Sequence, residues 1–189
     1  MLKAFTFLVL LFSFQVSAAC IFKVRVNDAP PQYMLQDGKW TGKAVELMEV
    51  LLREANCKPE YIMMPWQRAL MELEKGNIDA MMNVGYNEQR AKSFYYISPY
   101  IYETTVLLTR KDLKFDINSL NDLKRLPHKI GYEAGNIYDN TFTSKFLEDE
   151  DFHNLFQATT SGDNTEMVFL GRLSGKITLS ENARYALDV

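Results

Sequence analysis

Residues 79–100 read DAMMNVGYNEQRAKSFYYISPY. The apolar opening, Ala80-Met81-Met82, bounded by Gly85, suits a short strand buried on both faces. A polar turn follows through Tyr86, Asn87, Glu88 and Gln89 to one arginine, Arg90. Open α/β sheets keep their ligand crevice just beyond the carboxyl ends of buried strands. A guanidinium placed there offers a planar fork that matches a carboxylate in two parallel hydrogen bonds. Arg90 is therefore the candidate ligand anchor, with a solvated surface charge as the plain alternative.

Upstream, Ala44, Leu47, Met48, Leu51 and Leu52 recur at helical spacing, with Lys43, Glu46, Glu49, Arg53 and Glu54 opposite. That pattern predicts a core-facing helix. Pro65 opens a second helix over 66–75, closed by Gly76, with Ala69, Leu70 and Leu73 inward and Trp66 at its start. A first strand, IFKVRV, precedes them, and Glu60-Tyr61-Ile62 forms another. Downstream comes a β-prone run over 101–109, broken by Arg110-Lys111-Asp112. Then a strand over 129–132 enters the turn Glu133-Ala134-Gly135-Asn136. Strands alternating with helices predict an α/β protein.

The first residues, MLKAFTFLVLLFSFQVSAAC, hold one cation, an apolar run and small residues before Cys20. They read as a secretory signal over 1–19, cleaved at Ala18 or Ala19, with acylation of Cys20 as the alternative. The full sequence is 47% hydrophobic with net charge −3, which builds a core and gives no reason to invoke nucleic acid. His128 and His153 lack metal-ligand spacing, and neither a phosphate loop nor a nucleophile elbow occurs. No cofactor or metal is expected.

Asp79, Asn87, Arg90, Phe94, Ser98, Pro99 and Tyr100, preceded by Pro65-Trp66-Gln67-Arg68-Ala69-Leu70 and Gly76-Asn77-Ile78-Asp79, carry a resemblance. In order and spacing they resemble the family 3 extracellular solute-binding proteins, the periplasmic amino-acid receptors of ABC transporters. The likeness runs from about Phe22 to the last residue. It implies a two-lobed, periplasmic-binding-protein-like (type II) α/β fold, with lobe 1 over 20–109 and lobe 2 over 110–189. It also implies capture of an amino acid or related carboxylate, delivery to an inner-membrane ABC permease, and no catalysis. The cleft residues it points to are Asp28, Tyr33, Trp66, Gly85, Tyr86 and Arg90 in lobe 1, and Gly135, Asn136 and Tyr138 in lobe 2. Gly135 and Asn136 would present backbone N–H groups to the ligand carboxylate at a helix N-terminus. In such a sheet the strands that follow Cys20 and Cys57 are neighbours, so a disulfide between them is expected, two free thiols being the alternative.

Two departures matter. Within Gly171-Arg172-Leu173-Ser174, Ser174 replaces the usual Asp, and Leu179 falls where the family places its ammonium-binding carboxylate. Glu181 or Asp28 is then the candidate counter-charge. The chain also stops at Val189, before the strands and helices that would complete the second lobe, so lobe 2 is expected to be incomplete, with an unpaired edge. A sensor input domain, a remnant, or a dehydratase using Glu133 as an acid are the competing functions.

Overall fold

In the computed structural model the described residues are 19–138, 142–147, 149–159 and 163–188. The signal segment lies outside them, except for Ala19. Strand β1 (Cys20–Val26) lies parallel to β4 (Cys57–Met63), in register from Cys20 opposite Cys57 to Val26 opposite Met63. That register brings the two sulfurs together, and Cys20 and Cys57 form a disulfide. The bond occupies the thiol that acylation would need.

Helix α1 (Lys43–Glu54) covers one face of this pair. Its Ala44, Val45, Met48 and Leu52 pack on Val24, Val26, Tyr33 and Met82. Each fully buried aliphatic side chain there contributes roughly 1.5–3 kcal/mol. The apolar stripe is rotated from the predicted one: Val45 turns in and Leu51 is exposed. Between β1 and α1, strands β2 (Met34–Gln36) and β3 (Lys39–Thr41) form a hairpin. Asp37 and Gly38 both have positive φ at its tip, the geometry of a two-residue turn that matches strand twist. Helix α2 (Trp66–Glu74) follows β4.

The strand expected over 80–82 shrinks to a single bridge, Val24 to Ala80. The reason is local. Lys23 O accepts from both Asp79 N and Ala80 N, while the Asp79 carboxylate takes Lys23 N at 2.8 Å. A side chain thus replaces a ladder acceptor, and Asn83, at φ 61, turns the chain away.

A four-stranded sheet builds the second lobe, in the order β5-β8-β6-β7 from β5 (Thr105–Thr109), β6 (Ile130–Glu133), β7 (Phe156–Thr159) and β8 (Gly175–Leu179). β5 runs antiparallel to β8, and β6 runs parallel to both β7 and β8. Leu123, Ile130, Phe146, Phe156 and Ile177 form its core. Since β5 belongs to this sheet, the crossover between lobes lies before Thr105 rather than near residue 109. Among the described residues β7 pairs with β6 alone, and Phe169, Leu170 and Leu187 are exposed. Helix α3 (Asp163–Phe169) precedes β8, and α4 (Ser180–Asp188) follows it directly. No helix among the described residues is long and apolar enough to cross a membrane.

Candidate ligand cleft

The carboxyl end of β1 runs into a loop whose carbonyls hold the start of α1. Pro31 O accepts from Lys43 N at 3.2 Å, and Gln32 O from Ala44 N at 3.1 Å. Helix α1 therefore meets its first N–H groups with loop carbonyls instead of a capping side chain. This close approach needs Gly42. At φ 112, a Cβ there would stand 2.5 Å from Gln32 O and 2.8 Å from Pro31 O. The loop is pinned again by the pair Ala29 N to Tyr33 O and Tyr33 N to Ala29 O.

Facing that loop across a gap are the end of β6, the start of α3, β8 and one side of α4. The gap is a cavity of about 600 Å³ between the lobes. Asp28, Tyr33, Trp66, Gly85, Asn136 and Tyr138, all expected in the cleft, line it. Several contacts hold the two sides together. Trp66 Nε1 donates to Gly135 O at 3.0 Å, Asn182 Nδ2 donates to Pro30 O at 2.9 Å, and Ile137 lies against Gly85.

Four residues expected in the cleft, Arg90, Tyr86, Gly135 and Glu181, are not among those that line this cavity. Arg90 does not line the cavity: its Nη1 donates to Gly85 O at 3.1 Å and its Nη2 to Gly135 O, so the guanidinium is a strut between two loops. Burial presses its pKa down, with Tyr96 opposing. Tyr86 is 63% exposed and leans edge-on against Tyr96. Gly135, at φ 76, contributes its carbonyl to Trp66 and Arg90 and is not a lining residue. The N–H groups of the next two residues are engaged as well, Asn136 N with Glu133 O and Ile137 N with the Asn136 side chain. Glu181 does not line the cavity and pairs with Lys43 and with Gln32, which does. Leu179 lines the cavity as an apolar wall, and Ser174 is buried with its Oγ accepting His128 N.

What the sequence reading missed is Arg25. On β1, Val24 and Val26 face α1, so the period-2 alternation sends Arg25 to the opposite face, where α2 and the second lobe lie. It is 2% exposed. Its guanidinium sits 5.1 Å from the Trp66 ring centroid and 5.9 Å from that of Tyr33, and Nε donates to Met64 O at 3.2 Å. Nη2 has no hydrogen-bond partner among the described residues. Burial lowers the Arg25 pKa, opposed by Tyr33 and by Glu133 across the cleft. The one sequence signal is the alternation that puts Arg25 opposite α1; Lys23 on that same face is exposed, so a charge there does not by itself mark burial.

The other charges of the cavity are Asp28, Glu103, Glu133 and Lys176. Lys176 Nζ donates to Thr165 Oγ1, and burial lowers its pKa while Glu133 raises it. Glu103, on the segment joining the lobes, has one carboxylate oxygen, Oε1, buried without a partner, and burial raises its pKa. Among the described residues no three His, Cys, Asp or Glu side chains gather as a metal site.

Two α/β lobes bordering a small charged cavity are the architecture of a bilobal solute-binding protein. Residues 21–172 match the bacterial extracellular solute-binding proteins, family 3, and the chain belongs to that family. It is 31% identical over 90 residues to the probable amino-acid-binding protein YxeM of Bacillus subtilis, covering 47% of this chain and 34% of that protein. It is 30% identical over 122 residues to a probable histidine-binding protein of Neisseria gonorrhoeae, covering 63% and 44%. These matches thus span less than half of each relative's length. The crystal structure of an ancestral amino acid-binding protein, AncCDT-1, a precursor of cyclohexadienyl dehydratase, superposes with a TM-score of 0.73 at 22% identity, covering 89% of this chain and 75% of that one. That likeness speaks to the fold.

Proposed function

We propose that the protein captures a small carboxylate-bearing solute, an amino acid or close relative, between its lobes and presents it to an inner-membrane ABC permease. The single observation behind this is the cavity of about 600 Å³, lined by both lobes and by charges of both signs beside Trp66 and Tyr33. Its size suits a small solute, and aromatic walls with a few placed charges are how such sites fix orientation. The contacts across the gap are made by groups that separate if the lobes hinge apart, so a ligand bound to both sides favours closure. A periplasmic location accords with the family and with the Cys20–Cys57 disulfide, which an oxidising compartment keeps intact. The segment over 1–19 is the proposed export signal. Binding, not catalysis, is the role named for both curated relatives.

The test is thermal denaturation of the oxidised chain against the proteinogenic amino acids, polyamines and short carboxylates. A ligand at a hundred times its dissociation constant stabilises by about 2.7 kcal/mol. Saturable stabilisation by an amino acid or a carboxylate supports the reading; a flat response to every acid overturns it. Loss of uptake of that solute on deleting the gene tests the permease step.

A further inference from the structure

We propose that Glu103 makes the docking of the two lobes sensitive to pH: the docked lobes favour its protonated carboxyl, and the ionised carboxylate drives them apart. This goes beyond solute capture and assumes nothing about what the cavity holds. Glu103 lies on the segment joining the lobes, just before β5. It lines the cavity of about 600 Å³ and also a second one of about 430 Å³. Pro31 of the first lobe, Ile101 and Tyr102 of the crossover, and Ser180 and Arg184 of α4 border the second. Both cavities thus have walls from each lobe, and separating the lobes admits water to Glu103 from either side.

With the lobes docked, Glu103 is half-buried and its Oε1 has no hydrogen-bond partner among the described residues. Nor does it enter any ion pair there. Asn182 Oδ1, on the wall of the larger cavity, is a second buried acceptor without a donor. An ionised carboxylate here loses hydration and gains no donor, whereas the protonated carboxyl brings one of its own. The charges around it do not offset this. Glu181, Arg184 and Tyr185 of α4 border the smaller cavity, and Glu181 is already paired with Gln32 and Lys43. In the larger cavity stand Arg25 of β1, Asp28 and Tyr33 of the loop after it, Glu133 of β6, Tyr138, and Lys176 of β8. On its own segment, Tyr100 has its pKa pushed up to about 12 by burial, with the Glu103 charge adding to the rise. Burial alone accounts for the upward shift at Glu103.

Separation returns the carboxyl to water and its pKa towards 4.5, so the docked form holds the proton more tightly. Docking is therefore favoured at low pH and weakened as pH rises through the docked form's value. Between the two values the docked-to-open ratio falls by up to about tenfold per pH unit. A solute that bridges both lobes inherits that dependence, because its apparent affinity scales with the docked fraction.

Small-angle scattering of the oxidised, ligand-free chain, from about pH 4.5 upward, tests this. The radius of gyration should rise with pH in the wild type and stay at its low-pH value in Glu103→Gln. The Glu181–Lys43 pair has the opposite sign, since protonating Glu181 loosens that contact on acidification. A radius that grows towards low pH, one independent of pH, or a Glu103→Gln profile matching wild type overturns the proposal. Should Glu103→Gln fail to fold, carbon-13 NMR of the wild-type Glu103 carboxyl decides. Titration above 4.5, in step with the scattering change, supports the switch, and titration at or below that value refutes it. No ligand enters either measurement, so the outcome is separate from that of the solute screen.

Discussion

Glu181, on α4 of the second lobe, accepts a hydrogen bond from Gln32 of the first lobe at 2.6 Å, and its other oxygen pairs with Lys43. The two partners are unequal. Gln32 is 3% exposed, whereas the Lys43 side chain is 62% exposed and its ion pair is screened by water. Breaking the buried bond is the costlier change. Glu181→Ala should weaken the closed arrangement by about 1–3 kcal/mol, and Lys43→Met by under about 1 kcal/mol. Small-angle scattering of the ligand-free protein should show a larger radius of gyration for the first variant and no change for the second. The reverse order would refute this account of the contact.

Gly42 and Gly38 both have positive φ, at 112° and 74°, but their surroundings differ. A Cβ on Gly42 collides with the carbonyls of Pro31 and Gln32, while Gly38 has nothing within 4 Å. Gly42→Ala should therefore destabilise by on the order of 3 kcal/mol and Gly38→Ala by about 1 kcal/mol. Urea midpoints measure both, and equal losses would mean that backbone strain alone matters.

The disulfide closes a loop spanning 37 residues of sequence separation. On the chain-entropy account it stabilises by about 4 kcal/mol. Reduction should lower the melting temperature sharply, and intact mass should rise by two hydrogens only with reductant. Two alkylatable thiols in the unreduced exported protein would contradict the bond.

Burial holds the Glu103 carboxyl above its ordinary pKa of 4.5. The folded protein then binds that proton more tightly than the unfolded chain does. Ligand-free stability should fall as pH rises from about 4.5 through the raised value, and stay lowered above it. Glu103→Gln removes this term, so it should melt higher than wild type at pH 7, with the gain vanishing below about pH 4.5. A gain that grew on acidification would reverse the sign and refute the argument.

Local pattern alone specified much of this protein. Helical spacing from Ala44 to Leu52 placed α1, and Pro65 and Gly76 bracketed α2, because amphipathic period and end signals act over a few residues. The order of motifs from Trp66 to Tyr100 carried the family. Six of the expected cleft residues, from Asp28 to Tyr138, do line the cavity, because they follow strand ends in an α/β sheet. The tertiary structure decided the rest. Nothing in IFKVRV marks Arg25 as buried, because alternation says which residues share a face and not what covers that face. Arg90 and Glu181 carry charges suited to a ligand, and only the docked lobes show Gly135 O at the first and Gln32 and Lys43 at the second. Which charge stays unpaired in a cleft depends on distances between segments far apart in sequence, and those exist only once both lobes are folded and closed.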